Sequence, residues 1–281
     1  MKQRTLAALP LAVLAWLGMA SCAAAMGDCA HRDERNLDLD AGGVATLALA
    51  ARAGELDIRG EPGLQQIVVR GTACASSADL LQSIQLLHRA EGDRRMVTVE
   101  IPKSEGGWFG DHYQRLDLEV RVPAQLALEI ADSSGDTRIQ GVGRTTVQDS
   151  SGELRIDDVT GDLTITDSSG DIHVRGVSGG LHVPADSSGD IDARNIGGSV
   201  VIEHDSSGEI ELQQVRGDAR IEVDSSGGIA FADIDGSAFV GTDSSGSIEA
   251  TRIGGDFTVE RDGSGGITHR EIAGNVHLPA D

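Results

Sequence analysis

Asp132, Asp149, Asp167, Asp186, Asp205, Asp224 and Asp243 each open the tetrapeptide Asp-Ser-Ser-Gly, and a degenerate copy, Asp-Gly-Ser-Gly, opens at Asp262. The intervals between copies are 17, 18 and then 19 residues five times over. Three kinds of chemistry could use such a motif. Carboxylate, hydroxyl and carbonyl oxygens together are the hard ligands that calcium takes. Paired carboxylates could do acid–base work on a polysaccharide, as in some parallel β-helix enzymes. Alternatively, each Asp could accept hydrogen bonds from the N–H groups of its own corner, an Asx-turn, and serve structure alone.

Repetition separates these uses. Acid–base catalysis needs a few carboxyls in different environments, so that one is an acid and another a base; here every copy offers the same Asp. Calcium-loaded β-rolls carry the nonapeptide GGxGxDxUx, which is absent, and one carboxylate per repeat is a sparse ligand set. Asp149, Asp167, Asp186, Asp205, Asp224 and Asp243 are the calcium candidates if the ion binds. The structural reading makes Asp132 and the motif glycines Gly135, Gly152, Gly170, Gly189, Gly208, Gly227 and Gly246 the determinants of a tight corner, where glycine supplies positive φ. Neighbouring carboxylates about 4.8 Å apart repel by roughly 1 kcal/mol in water and several times that in a poorer dielectric. Asx-turns, calcium, shared protons or loose counterions are the four ways to offset that repulsion.

The residues between the motifs show what must position them. Two after each motif Gly stands Thr137, Leu154, Ile172, Ile191, Ile210, Ile229, Ile248 or Ile267. A second column follows two further on, from Ile139 to His269, and a third runs from Val142 to Ile272. A second alternating pair completes each unit, such as Leu181 with Val183 or Val200 with Ile202. Apolar residues at period two, many of them β-branched, read as half-buried strands. One 19-residue unit has too little apolar surface to make its own core, but stacked units share one. The expected fold is all-β: a single-stranded parallel β-solenoid, one coil per repeat, roughly 40 Å long over eight coils at the strand spacing.

The expected division is a signal peptide at 1–25, an irregular N-terminal cap with degenerate coils at 26–131, and the DSSG solenoid at 132–281. Lys2 and Arg4 precede an apolar run from Leu6 to Leu17, then Ala23-Ala24-Ala25 offers a cleavage site. The competing arrangement lipidates Cys22 within Met19-Ala20-Ser21-Cys22. Within the cap, Ala51–Gly54 replaces DSSG in "ARAGELDIRG", residues around 78–87 start a short helix capped by Ser76 or Ser77, and "LDLEVRVPAQLALEIA" fills the coil before the first motif. Residues 103–114 form an exposed loop. After cleavage Cys29 and Cys74 remain, an even pair that reads as a disulfide in an oxidising compartment, contributing about 3–4 kcal/mol in the chain-entropy model.

The net charge of −22 over 281 residues, and about −24 once Lys2 and Arg4 are removed, argues against nucleic acid and anionic lipid as partners. Seven aromatic residues are too few for a sugar- or base-stacking platform. No Gly-x-Ser-x-Gly, Walker, zinc or dinucleotide pattern is present. His173 and His182 fall on outward positions, and His269 marks a degenerate inward column. Outward positions mix Arg138, Arg155, Arg175 and Arg194 with Asp192, Glu203, Glu211, Glu222 and Glu260, as a solvated face does.

The signal peptide, the cysteine pair, the "GELDIRG" strand and the "GDIHVRGV" and "GGLHV" strands of the DSSG coils together resemble the "putative adhesin" β-strand-repeat family of exported bacterial proteins. The resemblance covers most of the mature chain and implies the fold more strongly than the function. The expectation is an exported, non-enzymatic structural or adhesion module of the periplasm or cell surface, without a cofactor unless calcium binds. Its C-terminal coil edge, ending at Pro279-Ala280-Asp281, is expected to self-associate, because an uncovered edge invites pairing. The alternatives are a calcium-dependent surface solenoid and a polysaccharide-acting β-helix enzyme.

Overall fold

The computed structural model describes residues 29–102 and 113–280. The signal segment, Cys22, the body of the 103–114 loop and Asp281 lie outside them. The N-terminal part holds β1 (His31–Asp40), β2 (Thr46–Ala50), β3 (Leu56–Glu61), β4 (Gln66–Ala75), α1 (Ala78–Ser83), β5 (Gln85–Glu91), β6 (Arg94–Glu100), β7 (Gln114–Pro123) and β8 (Ala127–Ala131). The repeats then alternate between two sheets. Their strands are β9 (Thr137–Gln140), β10 (Thr145–Gln148), β11 (Leu154–Val159), β12 (Leu163–Thr166), β13 (Ile172–Val177), β14 (Leu181–Ala185), β15 (Ile191–Ile196) and β16 (Val200–Asp205). There follow β17 (Ile210–Val215), β18 (Ala219–Asp224), β19 (Ile229–Ile234), β20 (Ala238–Asp243), β21 (Ile248–Ile253), β22 (Phe257–Asp262), β23 (Ile267–Ile272) and β24 (Val276–His277).

Odd-numbered repeat strands lie side by side in one sheet and even-numbered ones in the other, all parallel. Register keeps each apolar column in line: Ile172 pairs with Ile191, Ile191 with Ile210, and Ile210 with Ile229. The columns that the sequence sets at period two therefore point into one continuous core, where Ile139, Ile156, Ile191, Leu212 and Ile248 have no solvent exposure. This is a parallel β-solenoid of about eight turns with coils of about 19 residues.

The N-terminal strands are not stacked in chain order. One sheet runs β1-β4-β7-β3-β9 and the other β5-β6-β2-β8-β10. The rung β2–β3 is thus inserted between the rungs β6–β7 and β8–β9. The segment 116–131, expected to fill one coil directly before the first motif, is split: β8 abuts β10, whereas β7 is separated from β9 by β3. The reason is the excursion of β4, which leaves β3 and returns antiparallel to both β7 and β1. Apolar periodicity specifies which way a strand faces but not which neighbour it takes. The disulfide Cys29–Cys74, with Cα atoms 5.7 Å apart, ties the start of β1 to β4. Ser77 caps α1 by accepting from Leu80 N–H at 3.3 Å.

Candidate functional site

Each DSSG motif turns the corner from the even-numbered sheet into the odd-numbered one. The glycines Gly135, Gly152, Gly170, Gly189, Gly208, Gly227 and Gly246 all have φ between 117° and 151°. Space demands glycine as well as conformation. A Cβ on Gly208 would lie 1.8 Å from the carbonyl oxygen of Gly189 in the preceding rung, and one on Gly246 would lie 1.5 Å from that of Gly227. Ala51–Gly54 forms the same corner without Asp: Gly54 has φ 131°, and its carbonyl sits under Gly135.

The second serine of each motif is a rung-to-rung clasp. Ser169 Oγ donates to the Ser150 carbonyl at 3.1 Å, Ser207 to Ser187 at 3.3 Å, Ser226 to Ser206 at 3.1 Å, and Ser245 to Ser225 at 3.3 Å. The carbonyl of that second serine in turn accepts from the motif glycine one rung back, as in Gly189 N–H to Ser207 O at 3.2 Å. Hydroxyl, carbonyl and amide are all used inside the stack.

The aspartates point inward. All seven are buried, between 0% and 5% exposed, and in-register pairing places Asp205, Asp224, Asp243 and Asp262 on successive rungs of one column. Five of the seven accept one backbone N–H from their own corner. In Asp132, Asp149 and Asp186 it comes from the next residue at 2.7–2.8 Å, and in Asp224 and Asp243 from the residue after that at 3.2 and 3.0 Å. The second oxygens of Asp149, Asp186, Asp224 and Asp243, and both oxygens of Asp167 and Asp205, have no hydrogen-bond partner. Asp132 ends the column over Ala51, and its remaining oxygen accepts from Thr137 Oγ1 at 3.0 Å. Thr137 is the one polar member of its otherwise aliphatic column and sits beside that terminal carboxyl.

Burial pushes these carboxyls up, against the smaller opposing pull of the corner serine N–H groups. Asp205 is raised to about 7, first by burial and then by the charges of Asp224 and Asp186. Asp132, Asp167 and Asp224 are raised to about 6, again first by burial. Asp149, Asp186 and Asp243 shift in the same direction for the same first cause. A protonated carboxyl supplies the donor its neighbour lacks, so a proton shared between rungs relieves both the repulsion and the unsatisfied oxygens. Calcium fits this arrangement poorly. The second-serine hydroxyls are committed to the clasp, the first serines are exposed while the carboxylates are buried, and among the described residues no three Asp, Glu, His or Cys side chains converge on one point.

The histidines are scattered. His173 lies 3.7 Å from Glu153 and His182 2.7 Å from Glu203, on the outer faces of opposite sheets. His269 is exposed in the inward column of the last full coil, with its ring centroid 6.1 Å from that of Phe257. A second structural column escapes the motif search. Asp158, Asn195, Gln214, Asp233, Arg252 and Glu271 hold left-handed backbone, φ 56–59°, where the odd-numbered strands bend. Gly141 and Gly176 occupy the same place in their coils. The run of Gly, Asp, Gly, Asn at that one position was the available signal.

Comparison with curated proteins finds no match. Three solved structures overlie most of the chain. One is described as a "putative cell adhesion protein" from Clostridium sporogenes, with 12% identity, 89% of this chain and 100% of that one covered, and a TM-score of 0.29. A second, a "putative lipid binding protein" from Parabacteroides distasonis, has 18% identity, coverages of 87% and 96%, and a TM-score of 0.46. The third, a "putative adhesin" from Parabacteroides merdae, has 13% identity, coverages of 89% and 96%, and a TM-score of 0.34. Likenesses of that size carry no argument about function. The family model described as Toastrack DUF4097 matches residues 82–268, about two thirds of the chain, and the chain belongs to that family.

Proposed function

We propose that the protein is an exported, non-enzymatic rod of structural or adhesive type, working in the periplasm or at the cell surface. One observation carries this reading. The Asp of each motif is turned into the core and the second Ser into the rung-to-rung clasp, which leaves the first Ser alone of the motif's side chains exposed, the same hydroxyl on every rung. What the rod presents outward is two long ladders of variable side chains. The test is cell fractionation of the full-length, C-terminally tagged protein, with protease treatment of intact cells. Recovery from the envelope or the medium, together with reduced attachment of cells lacking the protein, supports the reading; accumulation in the cytosol sinks it.

Self-association belongs to the same reading. Ile267, Ile272 and Val276 are partly exposed in the last coil, whereas Ile248 and Ile253 in the coil before it are 0% and 1% exposed. The outer edges of β23 and β24 pair with nothing among the described residues. A second copy meeting this edge would cover that surface. Sedimentation across a wide concentration range should show a dimer that His269→Pro, at a position whose N–H faces the free edge, removes; a monomer throughout would end the idea.

A further inference from the structure

The outer face of the odd-numbered sheet concentrates positive charge in a strongly acidic chain. Arg138 pairs in register with Arg155, Arg175 with Arg194, and Arg121 with Arg59. Like charges directly opposite on adjacent strands are unfavourable. In two of these pairs one guanidinium is ion-paired and the other is not, although a carboxylate stands opposite it on its other side, Asp57 for Arg138 and Asp157 for Arg175. Arg155 meets Glu153, and Arg194 meets Asp192 at 2.7 Å and Glu211 at 2.9 Å. Arg138 and Arg175 are exposed and have no ion pair among the described residues. Both line one open groove of about 480 Å³, where four arginines and His173 face Asp157, Asp192 and Gln140.

We propose that this groove binds an acidic glycan, a sugar strand bearing spaced carboxylate or phosphate groups, with Arg138 and Arg175 taking the anionic groups. Guanidinium forks match such oxyanions bidentately, and Asp157, Asp192 and Gln140 suit sugar hydroxyls. A lipid surface fits less well, because a continuous anionic plane would also meet Glu153, Asp57 and Glu119 beside the groove. Nucleic acid fits less well, because its bases find no aromatic side chain among the groove residues to stack on. The inference rests on the adhesive reading and names the class of ligand.

Calorimetry with the mature protein and oligogalacturonate, at low ionic strength of about 20 mM where screening is weak, tests it. Binding is expected, with none to the carboxyl-reduced neutral oligosaccharide. Arg138→Gln with Arg175→Gln should weaken binding by about tenfold or more, while Arg220→Gln on the opposite sheet leaves it unchanged. Neither Arg138 nor Arg175 supports a partner and each faces another arginine, so the double variant should melt no lower than the parent. Equal binding by parent and double variant, binding to phosphatidylglycerol vesicles alone, or no binding would each overturn the proposal. Envelope location and attachment are read separately, so this failure would leave the adhesive reading standing.

Discussion

Asp205 lies between Asp186 and Asp224 in the column, 2% exposed, with neither oxygen hydrogen-bonded. At pH 8 its ionised form loses hydration and faces a neighbouring negative charge; at pH 5 it is neutral and can donate. Replacing it with Asn keeps the shape and supplies N–H donors at every pH. Asp205→Asn should therefore stabilise the rod at pH 8 by about 1–3 kcal/mol and change it little at pH 5. Chemical denaturation at the two pH values reads this directly, and destabilisation at pH 8 would refute the buried-charge argument. The neighbouring glycine is governed by space. Gly208→Ala forces a side chain onto positive φ and into the Gly189 carbonyl, and should cost about 2–4 kcal/mol. An unchanged denaturation midpoint would mean that the corner can open.

At the scale of strands and corners, each odd-numbered strand bends through its left-handed residue before the coil closes. Gln214 is a poor residue for that conformation, since its Cβ crowds the following carbonyl. Gln214→Gly should raise stability by about 0.5–1 kcal/mol, the relief of strain less the entropy that glycine loses on folding; a loss would show that the Gln214 side chain holds the bend. This column also marks how much was legible beforehand. Alternation and the constant interval identify the strands, the shared core and the glycine corners, because parallel stacking makes equivalent residues neighbours. Two features stayed hidden. Strand facing does not encode neighbour order, so the insertion of β2–β3 below β9 was not readable. A four-residue motif also does not say whether its Asp looks outward or inward; only the inward placement leaves those oxygens without partners. Thr137 beside Asp132 was visible as an oddity in an aliphatic column, but its role needs the end of the Asp ladder to be located.

For the whole rod the carboxyl column acts as one coupled titrating unit. Asp132, Asp167 and Asp224 sit near 6 and Asp205 near 7 when folded, against a reference of 3.8 in an unstructured chain, and Asp149, Asp186 and Asp243 are raised in the same direction. Between those values the folded chain binds more protons than the unfolded one, so stability falls as pH rises. The stabilisation is fully present below about 4, declines between about 4 and 7, and is gone above the folded values. Thermal melts should thus give a higher midpoint at pH 5 than at pH 8, by a difference on the order of several kcal/mol in stability. On the outer face Asp233 titrates the other way at lower pH, since its hydrogen bond to Arg252 holds its carboxyl below the usual range. Adding millimolar calcium under chelator-controlled, matched ionic strength should leave the midpoint at pH 8 unmoved relative to magnesium, because each rung offers one buried carboxylate while its one free hydroxyl, on the first Ser, is exposed. A calcium-specific rise of many degrees would mean that ions replace the shared protons, and the DSSG corner would then be a ligand motif rather than a proton-holding one.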